Sequence, residues 1–548
     1  MRSIRTDTRH ARELPAQPDA AGQGRPRQGG ILSSWWSFAV AVVAGLALAA
    51  AFPPVGAWPA AAGGPALLAL AVRGKRPLPT LGLGAACGGA FFVALLSWLV
   101  NVAWYAWVTL AILETLIFAV LTLALPPLLR LRAWPLAVAG WWVAQEAVRD
   151  RFPWGGFPWG RLAMSQPSAP SAGWAAIGGL PWLTFLIALA GGCLAYLAVA
   201  ALSAARPPGA SAPDRRRPVA FAAVLAVLSV VLVLAGNLAW SWRAAPGPSA
   251  VVATIQGNVP HSRTLPDQLR ATTVTANHAA ATLALARQVS EGRRPAPDVV
   301  IWPENSTDID PSASPSTYQR ISLAVEAIGR PVLVGAVLSH PVRNAGQLWL
   351  PGLGPTQVYI KRQLVPFGEV IPFRGFLEMF TSLPKLQPKN FTPGHRAVVF
   401  HLGKVALGDV ICYEVGFDNL VHTEVRAGAN ILAVQTNDAD FELDGQQGET
   451  LQQLDMSRMV AITTGRSVAV ASTIGISAII APNGDLLTQS KTWQRAELEA
   501  RVPLISALTP ADRLGSWPEV TIVALTALGL IWALARRRPP GPGDCGSG

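Results

Sequence analysis

Charge is what this chain has least of. Only 14% of its 548 residues are charged, against 51% hydrophobic, whereas soluble domains run near a quarter charged. That shortage excludes a wholly soluble protein, because much of the surface must face lipid. Cysteine is scarce too, at four residues, which excludes a disulfide-stapled scaffold. No internal period marks a repeat array, and no heptad run is long enough for a coiled coil. His261, His278, His340, His395, His401 and His422 show no metal-ligand spacing, so neither a metal nor another cofactor is expected.

What is present is unevenly spread. Apolar runs crowd residues 32–242 and 518–535, and residues 250–510 have the mixed composition of a globular domain large enough to bury its own core. Eight stretches approach the ~20 residues that cross a bilayer, near 32–51, 56–72, 79–100, 103–129, 133–149, 172–203, 218–242 and 518–535. The net charge of +12 could suggest a nucleic-acid partner, but the basic residues cluster beside these runs. They sit at Arg2 to Arg27, Arg73/Lys75/Arg76, Arg130/Arg132, Arg206 with Arg215 to Arg217, and Arg536 to Arg538. If each run crosses once, all five clusters fall on the cytoplasmic side, as the positive-inside bias requires. Both tails, 1–31 and 536–548, are then cytoplasmic and residues 243–517 lie outside. Apart from Glu114 and Glu146 the runs hold almost no acid, so little lines a transport pathway. The Gly-, Pro- and Trp-rich loop from Arg149 to Arg161 falls on the outer face, at headgroup level. It reads equally as an aromatic anchor or as part of a lipid-admitting surface.

From Ala250 onward short β-branched runs alternate with helical patterns. Strands are expected at Val251–Gln256, Val299–Trp302, Val332–Val337, Val358–Lys361, Val405–Cys412, Ile431–Thr436 and Val468–Ile480. Helices are expected near 266–290, 316–329, 417–427 and 448–465, and a hairpin turn at Asn483-Gly484. The domain is therefore α/β, with helices covering sheet.

Cys412 is alone in that outer domain, since Cys87 and Cys193 lie in apolar runs and Cys545 in the tail. It follows an apolar strand at the point where the chain should turn, an elbow from which a thiol can reach a cleft. A nucleophile needs a base and an oxyanion partner, and two other strand ends offer them: Glu304 in Ile301-Trp-Pro-Glu304, and Lys361 at the head of Lys361-Arg-Gln-Leu-Val-Pro-Phe-Gly-Glu369. Singly each is an ordinary charge. Three reactive types at three strand ends form a specific signal, because catalysts in such sheets gather there.

Those blocks, with Ile411-Cys412-Tyr413-Glu414, resemble the nitrilase (carbon-nitrogen hydrolase) superfamily and its Glu-Lys-Cys triad. A nitrilase-like domain set between seven spans and a final one resembles, more narrowly, the apolipoprotein N-acyltransferase family. Ile255-Gln-Gly-Asn258, Phe391-Thr-Pro-Gly394 and Gly156-Phe-Pro-Trp159 match it as well. The resemblance implies an α-β-β-α sandwich beside a bundle of about eight transmembrane helices in the bacterial inner membrane. It implies acyl transfer from a phospholipid, through a cysteine thioester, to the amine of a diacylglyceryl-cysteine lipoprotein. Cys412 would be nucleophile, Glu304 proton acceptor and Lys361 oxyanion stabiliser, with Glu369, Tyr413 and Glu414 in support, either directly or by packing. A monomer is expected, with membrane lipid and lipoprotein as partners and no nucleic acid. The chain departs from the family pattern at Thr264-Leu265, Gln363 and the segment Ala439-Asp-Phe-Glu-Leu-Asp-Gly445, which includes Asp440, and this bears on substrate preference and rate. Two rival readings stay open: a membrane-tethered amidase with the same triad, and an idle scaffold homologue.

Overall fold

The computed structural model describes residues 34–204, 216–239, 247–260, 267–379, 389–439, 441 and 447–536. Most of residues 1–31 and 536–548, together with His261, Thr264, Leu265 and Asp440, lie outside them.

The first half is helical: α1 (Ser34–Ala50), α2 (Ala60–Val72), α3 (Pro77–Leu95), α4 (Trp104–Thr122), α5 (Leu125–Leu128), α6 (Trp134–Arg149), α7 (Ala175–Ala204), α8 (Arg216–Leu234) and α9 (Gly236–Ala239). These helices are apolar on nearly every side, which suits lipid or the inside of a bundle. By length and composition, Pro77–Leu95, Trp104–Leu128, Ala172–Ala204 and the C-terminal Trp517–Ala535 can cross a membrane, and Ser34–Ala50, Ala60–Val72 and Ala223–Leu234 are shorter apolar helices. The continuous run expected at 172–203 kinks at Gly179, where φ is +79° two residues before Pro181. The few charges in the bundle are matched. Arg149 Nε donates to Glu114 Oε2 at 2.6 Å, with both side chains almost wholly buried, and Glu146 accepts from the Leu162 amide and the Thr184 hydroxyl.

The second half is a sandwich of two six-stranded sheets. Its elements are β1 (Ser249–Gln256), α10 (Asp267–Ser290), β2 (Val299–Ile301), α11 (Pro315–Ile328), β3 (Val332–Ser339), β4 (Val342–Leu350), β5 (Gly354–Ile360), α12 (Arg374–Leu377), β6 (Val399–Leu402), β7 (Val405–Ile411), α13 (Asp418–Arg426), β8 (Ile431–Thr436), α14 (Gly448–Thr464), β9 (Ser467–Ser472), β10 (Ala478–Ile480), β11 (Leu486–Gln489), β12 (Ala496–Pro503), α15 (Pro510–Leu514) and α16 (Trp517–Ala535). One sheet runs β12-β1-β2-β3-β4-β5 and the other β11-β10-β9-β8-β7-β6. Each has a parallel centre, β1-β2-β3 or β7-β8-β9, flanked by antiparallel strands. Central strands such as β8 are buried at every residue, which is why they read as unbroken apolar runs. The helix α11 shows how local chemistry sets boundaries. Ser314 caps it through the Thr317 amide, Pro315 opens it, and Gly329 ends it at φ +60°.

The expected strand Val468–Ile480 is two strands, β9 and β10, which pair antiparallel. The break at Ser472–Ser477 is stabilised by the Ser472 and Ser477 hydroxyls, which accept from the Gly475 and Ser472 amides. The turn at Asn483-Gly484 joins β10 to β11, with the Gly484 amide donating to Ala481 O and Gly484 at φ +82°. That is a turn followed by a left-handed glycine, and the register shifts beside it.

Apolar side chains of both sheets, among them Val252, Ile301, Leu348, Leu407 and Ala433, fill the layer between them. Behind the first sheet lie α10 and α11. Behind the second, α14 is buried almost end to end, and its Met459 and Ile462 belong to one apolar cluster with Leu183, Met164 and Leu95 of the bundle. Sheet and membrane helices therefore share a core. Replacing Arg149 by Leu would strand the Glu114 carboxylate in that core, at a cost of about 3–5 kcal/mol. Thermal unfolding in detergent should show a large fall for Arg149→Leu and recovery of most of it in the double variant with Glu114→Leu; equal falls in both would contradict the pairing.

Candidate active site

The ends of β2, β5, β7 and β8 meet at one edge of the sandwich. Glu304 follows β2, Lys361 follows β5, Cys412 follows β7 and Asn437 follows β8. Lys361 is 1% exposed. Its Nζ donates to Glu304 Oε1 at 2.9 Å and to Glu369 Oε1 at 3.0 Å. Asn344, on β4, bridges the same two carboxylates through Nδ2, at 2.6 and 2.8 Å. The second oxygens are held by backbone: Asn437 N–H donates to Glu304 Oε2 at 3.0 Å and Val365 N–H to Glu369 Oε2 at 2.8 Å.

Cys412 sits at φ +51°, a left-handed conformation that costs an L-residue on the order of 1–3 kcal/mol and persists only where the surroundings enforce it. The strain turns the thiol out of the strand line. Gln453 Nε2 of α14 donates to Sγ at 3.6 Å, and the Thr436 hydroxyl, which donates to Asp438 Oδ1, lies beside the thiol. Burial, then repulsion from Glu304, pushes the thiol well above its ordinary pKa, with Lys361 opposing. Cys412 therefore rests as a neutral thiol and needs a base. Burial also raises Glu304, the Lys361 charge resists, and the Glu369 charge adds to the rise. For Lys361 burial alone would favour the neutral amine, but Glu304 and Glu369 outweigh it and hold the ammonium well above the usual lysine range. The arrangement is a fixed cation between two carboxylates, one of them proton-prone, beside a protonated thiol.

Glu414 accepts four hydrogen bonds, from the amides of Arg362, Gln363 and Ile411 and from the Tyr359 hydroxyl, at 2.6, 3.0, 2.8 and 2.8 Å. It thus clips the lysine strand end to the cysteine elbow. Tyr413 points away from the thiol. Its hydroxyl donates to Gly156 O at 2.7 Å, and its ring stacks on Trp159 at 5.7 Å and on Phe157 at 6.2 Å. The Arg149–Arg161 loop of the bundle is therefore the floor beneath the elbow. Gly156 has φ +83°, and a Cβ there would lie 2.0 Å from the Asp150 carbonyl carbon, so that position takes only glycine. Arg161 fastens the loop to the domain through both oxygens of Asp418 at 3.1 and 2.9 Å. Gln363 lies against the backbone of Gly155 in the same loop, within 2.6 Å of where a Cβ would be.

All six candidate residues read from the sequence lie in this region, but they do different things: Glu304, Lys361 and Glu369 bond directly, Cys412 adjoins them, and Glu414 and Tyr413 hold the frame. Asn344, Thr436 and Gln453 were not foreseen. Each is a polar residue inside a strand or helix, and only its partners far away in sequence give it meaning.

Two family models match the chain: the apolipoprotein N-acyltransferase N-terminal domain over residues 44–194 and carbon-nitrogen hydrolase over residues 252–518. A curated apolipoprotein N-acyltransferase of Mycolicibacterium smegmatis is 36% identical over 510 residues, covering 90% of this chain and 84% of that protein. The chain belongs to the apolipoprotein N-acyltransferase family. The namesake from Azotobacter vinelandii is 30% identical over 545 residues, covering 93% and 97% of the two chains. Among solved structures, an amidase from Nesterenkonia sp. aligns at 16% identity and a TM-score of 0.34, covering 47% of this chain and 91% of that one. Family membership makes this an acyltransferase of the bacterial inner membrane with a nitrilase-type domain.

If Glu414 is the clip between the two strand ends, Glu414→Ala leaves four donors unpaired in a dry site, each costing about 1–3 kcal/mol. Glu414→Ala should lower the unfolding temperature sharply and Glu414→Gln less so, since its amide keeps one acceptor oxygen. Unchanged melting of the alanine variant would refute that role.

Proposed function

We propose that the enzyme moves an acyl chain from a membrane phospholipid to the α-amino group of a diacylglyceryl-cysteine at a lipoprotein N-terminus, with Cys412 carrying it as a thioester. The observation that supports this reading is the buried Lys361 held between Glu304 and Glu369 next to a strained, neutral Cys412. In the first half-reaction Glu304 takes the thiol proton as sulfur adds to the ester carbonyl. Lys361 faces the oxyanion that forms, inside a site too dry for water to do so. Collapse breaks the ester C–O bond, and Glu304 returns the proton to the departing lysophospholipid. In the second, the acceptor amine adds to the thioester, its proton passes to Glu304, the C–S bond breaks and the proton ends on sulfur. Covalent storage lets two membrane-held substrates visit one site in turn.

The same reading puts both termini in the cytoplasm and the sandwich outside, with 32–242 and 518–535 in the membrane. The arginine clusters at the cytoplasmic ends of the apolar runs support it.

Purified enzyme given a phospholipid with a labelled acyl chain should form a hydroxylamine-labile adduct that is absent from Cys412→Ala. An unlabelled wild-type protein that instead hydrolyses small amides would overturn the acyl-transfer reading. Lys361→Met should slow adduct formation by about 10²–10³-fold. Because Glu304 must be ionised to act and its pKa is raised, single-turnover acylation should be lost as pH falls through a value above the usual carboxylate range. Glu369→Gln removes one of the charges that raise it, so the acid limb should move to lower pH; a shift upward would refute the assignment.

A further inference from the structure

Between the sheets lies a carboxyl that the chemistry above leaves unused. Asp409 is wholly buried on β7, three residues before Cys412. On that strand Leu407 and Ile411 face the layer between the sheets, and strand alternation puts Asp409 on the same face. No hydrogen bond of good geometry reaches either carboxyl oxygen. On the neighbouring β8, Gln435 shares the inward face with Ile431 and Ala433. Its Nε2 donates to Trp302 O at 2.6 Å, while its Oε1 receives nothing.

The two orphaned acceptors converge. Across the gap is Gly346 of β4, and a Cβ placed there would lie 2.0 Å from Asp409 Oδ2 and 2.8 Å from Gln435 Oε1. Two acceptors that close together in an apolar layer, with no donor between them, are unfavourable unless a proton bridges them. Asp409 is the partner able to carry it. Burial, followed by the negative charges of Glu414 and Glu424 and, more weakly, Glu304, pushes this carboxyl well above the ordinary aspartate range, against a contribution from the adjacent Val410 amide.

We propose that Asp409 is a positioning residue for the acyl-transfer reaction: as a carboxylic acid it donates a hydrogen bond to Gln435 Oε1 and so locks together the strand ends that bear Glu304 and Cys412. The connections run short distances from there. Trp302, held by the Gln435 amide, lies two residues before Glu304. Thr436, the next residue after Gln435, lies beside the Cys412 thiol, and Asn437 donates its amide to Glu304. Gly346, against which the acid rests, is two residues from Asn344, the bridge between Glu304 and Glu369. One neutral hydrogen bond within the second sheet thus fixes the Gln435 side chain, whose amide crosses to Trp302 of the first sheet at the depth where the base and the nucleophile must meet.

The proposal rests on the catalytic reading of Glu304 and Cys412, so its test includes a measurement that needs no turnover. Infrared difference spectra of the full-length enzyme in detergent, wild type minus Asp409→Asn, should show the carbonyl stretch of an undissociated carboxylic acid at neutral pH, present only in the wild type. Asp409→Asn keeps a donor of the same shape and should form the acyl-enzyme within about threefold of the wild-type rate, whereas Asp409→Leu, which has no donor, should slow it about 100-fold with KM unchanged. Absence of the difference band overturns the proposal even if Leu slows the reaction by unsettling the fold. Asparagine as slow as leucine also overturns it. Acylation at the wild-type rate in Asp409→Leu, with adduct lost only in Cys412→Ala, overturns the positioning role and leaves the thioester reading of Cys412 standing.

Discussion

The Lys361 ammonium lies where water does not reach, and most of the site is arranged around that fact. A buried cation is stable only with opposite charge in contact, and here two carboxylates supply it, Glu304 and Glu369. Two carboxylates so close together repel each other, so their remaining oxygens need donors. These come from the loop after β5 through Val365 and from the other sheet through Asn437, while Asn344 of β4 joins Lys361 on the first oxygens. The cluster is thus complete only when the sandwich is closed. The same crowding keeps Glu304 ready to hold a proton and Cys412 protonated at rest. The proposed chemistry needs such mismatched affinities: a base that can give its proton back and a nucleophile that is activated only when substrate arrives.

The frame around this cluster belongs partly to the membrane helices. Arg149 of α6 pairs with Glu114 of α4 and also donates to Trp159 O at 2.7 Å. Trp159 in turn lies under Tyr413, the residue after Cys412. On the far side of the thiol, Gln453 touches Cys412, while its neighbour Gln452 bonds Trp98 and the carbonyl of Leu95 at the end of α3. The elbow is held from two directions by parts of the chain that reach it from the lipid.

The central strands, the four long sandwich helices and the three reactive strand ends were legible because their signals are local: unbroken apolar runs, helical periodicity, and charged or thiol groups where such runs stop. What was not legible depended on distance. β4, β6 and β12 carry Asn344, His401, Glu497 and Glu499 in mid-strand, and such polar residues hide a strand until its pairing is known. Glu414 and Tyr413 left two roles open because neighbours in sequence point to opposite sides, one to backbone amides and one to the membrane loop. Asp409 gave no signal, for an acid in an apolar strand gains sense only from the Gln435 and Gly346 that face it.

The burial of α14 on both sides has a last consequence. A helix that is at once the outer layer of a sheet and a wall of a membrane bundle leaves no seam along which the two halves can swing. With the sandwich outside the membrane, as proposed, the thiol stands at a fixed height over the bilayer, like a mark on a gauge. In the proposed acyl transfer donor and acceptor are each drawn up to that mark by bending themselves or the loops beside it, so what fits is decided by how far a lipid's reactive carbonyl or amine can rise while its chains stay in the membrane.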